Sequence, residues 1–338
     1  MAKQSSLHQQ QPRPLLPNQR HSTRHHPRSQ TNLQHLPRQT TMLRIRHPTR
    51  RPITRRHMGR THRTRTKKRT PKTRHPRQKL MIFYLGTDDA YWLWDNTPPH
   101  PLFISRRRLE RYKNLKPSNT RWALDSGGFT ELNMYGEWRT SPHKYVALVQ
   151  RYANEIGNLD WAAPQDWMCE PSVLAKTGKT VTEHQQLTVN NYLTLKTLSP
   201  TLPIIPALQG WQPDDYLRHI EMYDKAGIDL TKAPTVGMGT FCRRANLKPV
   251  HNLVYRLWEN GLKMHGFGVK QDGLPIMGNY LQSADSLAWS LTARLAPGPL
   301  CGTQHRAKKC SHCRTWATQW ANNINNNIGT AGIQPELF

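Results

Sequence analysis

Several acids and amides in this chain stand where a short apolar run gives way to glycine or a small polar residue. The clearest case is Asp125-Ser126-Gly127-Gly128-Phe129, which follows Trp122-Ala123-Leu124. A strand that ends in a carboxylate and opens into two glycines sets that acid at a sheet edge. Adjacent glycines also allow positive φ and close approach of a flat ligand. A tight turn whose aspartate only caps the next helix would use the same residues. Five later segments repeat the design: Gln165-Asp166-Trp167-Met168-Cys169-Glu170-Pro171, Leu208-Gln209-Gly210, Val236-Gly237-Met238-Gly239, His265-Gly266-Phe267-Gly268-Val269 and Ser283-Ala284-Asp285-Ser286. Paired carboxylates in such places suit nucleophilic and general acid–base chemistry. Taken one at a time, each has a plainer role. Asp285 would cap a helix starting near Ser286, Asp166 would cap another, Gln209 would be a buried satisfied amide, and Gly237 and Gly239 would be turn glycines.

A second cluster lies near the C-terminus. Cys301, His305, Cys310 and Cys313 bring three thiols and one imidazole within 13 residues. That set suits a closed tetrahedral Zn²⁺ site of the structural kind. A two-Cys, two-His finger is excluded because no histidine follows Cys313, and His312 sits inside the Cys-x-x-Cys turn. A redox cysteine pair and free thiols are the alternatives. Five cysteines and no export signal argue against a disulfide framework.

The elements that must position these groups are short β-prone runs separated by helical segments. The strands are expected at Ile82–Leu85, Leu102–Ser105, Trp122–Asp125, Leu159–Ala163, Pro203–Leu208, Thr235–Met238, Met264–Gly268 and Ser283–Leu287. Helices are expected at Pro142–Ile156, Val181–Leu198, Pro213–Ala226 and Leu247–Asn260, with none evident between the first two strands. Eight strands alternating with helices over 258 residues predict an α/β fold, a (β/α)8 TIM-like barrel. An open doubly wound sheet is the second option, but no Gly-x-Gly-x-x-Gly follows the first strand. In a barrel the chemistry sits at the carboxyl ends of the strands, where Asp125, Asp166, Gln209, Gly237, Gly239, His265 and Asp285 fall.

Residues 1–80 are of another kind. They hold 22 of the 49 Lys and Arg residues and no acid or aromatic residue, leaving 27 basic and 21 acidic residues beyond. A segment with so little to bury is expected to be a disordered basic tail that neutralises phosphates. It is equally open to reading as a solvated leader or an over-extended gene start, with Met81 as the initiator. It lacks the apolar amphipathic stripe of a transit peptide. No apolar run is long enough for a membrane span, which leads to the expectation of a cytoplasmic protein with no membrane partner. The domain expectation is a tail over 1–80, a barrel over 81–320 that includes the zinc site at 301–313, and a C-terminal tail over 321–338.

In this order, the six segments and the cysteine cluster resemble the tRNA-guanine transglycosylase superfamily over about residues 81–320. The compact size and the Cys-x3-His-x4-Cys-x2-Cys spacing look most like its DNA-modifying branch, DpdA. The resemblance implies exchange of a guanine in DNA for a free 7-deazaguanine base, such as 7-cyano-7-deazaguanine. It implies Asp285 as the nucleophile at C1′ and Asp125 as the general acid/base. Asp166 and Gln209 would bind the edges of the base, and Gly237 and Gly239 would offer it backbone groups. Structural Zn²⁺ would be held by Cys301, His305, Cys310 and Cys313. Two other functions compete: the same exchange on tRNA, and a non-catalytic, zinc-stabilised nucleic-acid-binding protein. The segment after Val236 continues Thr240-Phe241-Cys242-Arg243-Arg244, without the acid of the tRNA enzymes. Arg243, Arg244 and Lys270 are candidate phosphate contacts.

Overall fold

The computed structural model describes residues 81–95, 99–240, 248–302 and 308–328. The expectations for residues 1–80, for His305 and for Arg243 and Arg244 fall outside these residues.

Eight strands form one sheet: β1 (Ile82–Thr87), β2 (Leu102–Ser105), β3 (Trp122–Asp125), β4 (Leu159–Ala162), β5 (Ala207–Leu208), β6 (Val236–Met238), β7 (Met264–Gly266) and β8 (Ser283–Ser286). Its order is β4-β3-β2-β1-β8-β7-β6-β5, and every pairing is parallel. The sheet curls until its edges meet at a parallel bridge between Ala162 and Ile204. There the Ala162 N–H donates to the Pro203 carbonyl at 2.9 Å, and the Ile205 N–H donates to the Ala162 carbonyl at 3.1 Å. The fold is thus a TIM-like curled parallel sheet, and an open doubly wound order is not found.

The strands match the expected runs except where backbone chemistry intervenes. The run expected at Pro203–Leu208 pairs as a regular strand only over Ala207–Leu208. Pro203 and Pro206 have no N–H to give a ladder, so they serve as acceptors alone, Pro206 taking the Gly237 N–H at 2.8 Å. β7 stops at Gly266, short of the expected Gly268, because Gly268 turns at φ +59°.

Helices cover the outside: α1 (Arg106–Leu109), α2 (Gly128–Tyr135), α3 (Pro142–Glu155), α4 (Pro171–Thr177), α5 (Val181–Leu198), α6 (Pro213–Lys225), α7 (Lys248–Glu259), α8 (Leu274–Met277), α9 (Ala288–Leu295) and α10 (Arg314–Asn327). Local signals set the starts of the longer ones. Ser141 caps α3 by accepting the Lys144 N–H, ahead of Pro142 in the first turn. Thr180 and Glu183 form a capping box on α5. Among the described residues between β1 and β2, the helical element is a 3-10 turn, Ala90–Leu93. α10 runs across residue 320, from Arg314 to Asn327. Trp320, Ala321 and Ile324 are buried, and the Trp320 ring sits 5.8 Å from that of Phe83, so residues 321–327 pack with the sheet rather than trail from it.

Alternation along the strands sends one set of side chains outward to the helices and the other inward. The inward set is aromatic: Tyr84, Phe103, Trp161, His265 and Phe267 touch one another, with the Trp161 and His265 rings 4.5 Å apart. This packed plug forms the floor under the carboxyl ends of the strands.

Candidate active site at the carboxyl ends of the strands

Asp285 stands on β8 with 5% of its surface exposed, opposite Tyr84 of β1 and two residues beyond Ser283, which pairs with His265. Its Oδ1 accepts the Gly268 N–H at 3.0 Å and lies 3.1 Å from His265 Nε2. His265 is fully buried, and its Nδ1 is 2.9 Å from Ser283 Oγ. Burial pushes the imidazole pKa down, with Asp285 opposing that shift. The neutral ring therefore donates from Nε2 to Asp285 and accepts the Ser283 hydroxyl at Nδ1. Both fixed donors engage Oδ1. The helix-capping role does not apply, because α9 begins at Ala288 and the hydroxyl of Ser286, not the carboxylate of Asp285, accepts the Ala288 N–H at 3.3 Å.

Asp125 closes β3, level with Ser105 of the neighbouring β2. Its carboxylate accepts hydrogen bonds from the Gly127 backbone and the Ser105 hydroxyl. Burial raises its pKa most, and the negative charge of Asp285 raises it further. The two glycines have separate tasks. Gly127 adopts φ +78°, the left-handed turn that brings its N–H back to Asp125. At Gly128, a Cβ would come within 2.8 Å of the Trp138 ring, so that space holds an indole of the chain itself, not a ligand.

Arg106, Glu110 and Glu131 support this turn and were not singled out by the sequence pattern. The Arg106 side chain is buried, and its Nε donates to the Ser126 carbonyl at 2.6 Å. Its guanidinium also pairs with Glu110 at 2.9 Å and with Glu131. Glu131 in turn accepts the Arg139 N–H at 2.7 Å and the Thr140 N–H at 3.1 Å. An ion pair this buried is sustained only when its remaining donors and acceptors are engaged, as they are here. The available signal was the run Arg106-Arg107-Arg108 directly after a strand.

Across the site, Asp166 and Gln209 form one unit. Gln209 Nε2 donates to Asp166 Oδ2, and Gln209 Oε1 accepts the Thr240 hydroxyl at 2.8 Å. Burial raises the Asp166 pKa from 3.8 to about 7, and the charges of Asp125 and Glu170 add to the effect. Asp125, Asp166 and Asp285 thus share one electrostatic neighbourhood. Glu170, unremarked in the sequence except as part of its segment, is buried, and its carboxylate lies 3.5 Å from Thr240 Oγ1. Thr240 has φ +65°, a strained conformation for a β-branched residue, held by these side-chain contacts.

Gly237 and Gly239 provide room. A Cβ at Gly239 would lie 2.1 Å from Gln209 Nε2, and one at Gly237 would lie 2.4 Å from the Phe267 ring. Their N–H groups donate to the Pro206 and Leu208 carbonyls, and the Gly239 carbonyl accepts the Tyr216 hydroxyl at 2.7 Å.

The cysteines form a separate centre between α9 and α10. The Sγ atoms of Cys301, Cys310 and Cys313 all lie within 4.8 Å of one another, and none is in a disulfide. The Leu300 N–H points to Cys310 Sγ at 3.2 Å, and the Trp316 N–H points to Cys313 Sγ at 3.5 Å. Converging thiols that accept backbone N–H groups fit a metal ion bound by thiolates. These three residues could hold one. The imidazole of His312 is turned away, with Nδ1 3.3 Å from Asp88 Oδ1. No described helix is long and apolar enough to cross a membrane.

A comparison with curated proteins found no match. The family model described as "DeoxyPurine in DNA protein A" matches residues 79–334, a span that contains every strand, both aspartates at the ends of β3 and β8, and the three clustered cysteines. With most of the chain covered, this protein belongs to the DpdA family.

Proposed function

We propose that the protein exchanges a guanine base in DNA for a free 7-deazaguanine, such as 7-cyano-7-deazaguanine, through a covalent Asp285–sugar intermediate. The observation that carries this is the asymmetric hold on Asp285, with Oδ1 fixed by Gly268 N–H and by His265. The other oxygen, Oδ2, is the one to attack C1′. The C1′–N9 bond breaks, its electron pair goes to the purine, and Asp125 supplies a proton to the departing base. The raised pKa of Asp125 suits it to carry that proton. In the second half, the incoming base loses its N9 proton to Asp125 and attacks C1′, and the C1′–Oδ2 bond breaks to free Asp285. Two inversions retain the configuration, as in carboxylate-nucleophile glycosidases.

Asp166 and Gln209 would read the base edges, Asp166 at N1 and the 2-amino group and Gln209 at the carbonyl. Gly237 and Gly239 would border the pocket at backbone range. Cys301, Cys310 and Cys313 would hold structural Zn²⁺, with His305 as the fourth ligand. Four protein ligands serve folding and leave no position for activating water. Family membership favours DNA over tRNA as the polymer.

The test is denaturing electrophoresis of the protein with guanine-containing DNA, with and without an incoming base. The native enzyme should form a covalent adduct that the incoming base discharges, and Asp285→Asn should form none while remaining folded. Full adduct formation by Asp285→Asn would remove Asp285 from the mechanism.

A further inference from the structure

The run Arg106-Arg107-Arg108 sends its three side chains to three places. Arg106 is buried in the ion pair under the Asp125 turn. Arg107 lies along Gly127, where a Cβ would meet its Cδ at 3.1 Å. Arg108 reaches the other way, into a cleft of about 280 Å³ lined also by Asp88, Arg111, Tyr112 and His312.

This cleft opens on the reacting face. Asp88 follows the carboxyl end of β1, and Arg108 follows that of β2. β1 pairs directly with β8, Tyr84 opposite Asp285 and Leu85 opposite Ser286. The cleft therefore lies beside the strand that carries the nucleophile.

Its charges are layered. The Asp88 side chain, 13% exposed, sits inside, while the side chains of Arg108, Arg294 and His312 around it are 36%, 55% and 64% exposed. The two guanidiniums stand 3.8 Å from the same Asp88 oxygen, attracted to it but beyond hydrogen-bond reach. Asp89, the other acid lining the cleft, spends a carboxylate oxygen on the Tyr91 N–H at 3.0 Å. An inner carboxylate thus gathers two guanidiniums and an imidazole whose outer sides face solvent. Arg294 lies in the last turn of α9 and His312 in the Cys310–Cys313 turn, so the cysteine centre helps to set this rim.

We propose that Arg108, Arg294 and His312, with Arg111 of the same cleft, form a cradle for a DNA phosphodiester beside the reacting nucleotide. Guanidinium forks match phosphate oxygens, and contacts to the backbone fix register without reading sequence. The cradle deepens the DNA-modifying reading and rests on it. It gives the cysteine centre a second effect, which is to place His312 against the polymer.

The test uses the full chain, with Arg108→Gln/Arg294→Gln compared with the native protein. The charge-matched control is Arg256→Gln/Lys263→Gln, in the last turn of α7 and just before β7. Binding of a short labelled duplex is measured across a salt series, along with the dependence of exchange rate on DNA concentration. Loss of two phosphate contacts should lower the slope of log affinity against log salt by about 1.8. KM for DNA should rise while kcat and metal content hold, and the control should keep the native slope. A double variant with the native slope and native KM would overturn the cradle, as would a control that loses as much. Those results would leave base exchange itself standing. A native protein that exchanges no base in DNA would instead sink the underlying function.

Discussion

His265 Nε2 lies 3.1 Å from Asp285 Oδ1, at the centre of a relay from the Ser283 hydroxyl to the carboxylate at the end of the same strand. The ring is fully buried among Trp161, Phe103 and Phe267, so it cannot swing away from the acid it supports. The neutral imidazole and the Gly268 N–H both engage Oδ1 of Asp285, which leaves Oδ2 outside this pair of hydrogen bonds.

That relationship predicts the behaviour of His265→Leu. Removing one hydrogen bond to a charged group costs about 1.5–3 kcal/mol, or roughly ten- to a hundredfold in rate if the bond acts in the reaction. The loss should fall on kcat, with KM for the incoming base little changed, and His265→Gln should recover part of it. Steady-state kinetics of the two variants at one pH check this. A loss confined to KM, or to thermal stability, would leave His265 as core filling only.

Asp166 gives a pH signature. In its proposed role it accepts hydrogen bonds from a guanine edge as a carboxylate, so affinity for the incoming base should weaken as pH falls through about 7 and the group protonates. Its effect on stability has the opposite sense. The folded pKa is raised above the ordinary 3.8, so between 3.8 and about 7 the folded protein binds more protons than the unfolded chain. The associated stability is present at low pH and is lost as pH rises through that window. Asp166→Asn should therefore be more heat-stable than the native protein above pH 7, yet weaker in base binding. Melting curves and base titrations from pH 5 to 8 test both halves. A variant less stable than native at pH 8 would contradict the assigned cost of the buried carboxylate.

Most of the frame was legible in the sequence because parallel strands buried on both faces read as short apolar runs. β2 and β3 fall on their expected limits, and α5 spans Val181–Leu198 as its capping box dictates. The acids at the strand ends were legible for the same reason. What the sequence hid depends on contacts distant along the chain. Arg106 looks like a surface arginine until Glu131, 25 residues on, is seen beneath it. His265 looks like one more polar strand-end residue until Asp285 comes within 3.1 Å. The glycine at 128 suggested room for a ligand, whereas Trp138 fills that space. α10 was missed because its Asn-rich stretch, Asn322 to Asn327, masks the spacing of Trp320, Ala321 and Ile324.

The cysteine centre should act on stability before chemistry. Purified, reduced protein should carry about one Zn²⁺ per chain. Cys310→Ser should lose the metal and melt earlier, because ligand binding to the folded state contributes folding energy. The folded fraction of Cys310→Ser should keep most of its exchange rate at saturating DNA. Metal analysis with no zinc in fresh protein would refute the assignment, and an abolished kcat in folded Cys310→Ser would move the centre into the reaction.

The most direct measurement of base exchange in DNA is nucleoside mass spectrometry of DNA and tRNA from cells that express the protein and are supplied with the 7-deazaguanine base. A 7-deazaguanine deoxynucleoside should appear in DNA with the native protein, disappear with Asp285→Asn, and leave tRNA unchanged. A modified base found only in tRNA, or a DNA modification that persists with Asp285→Asn, would contradict it.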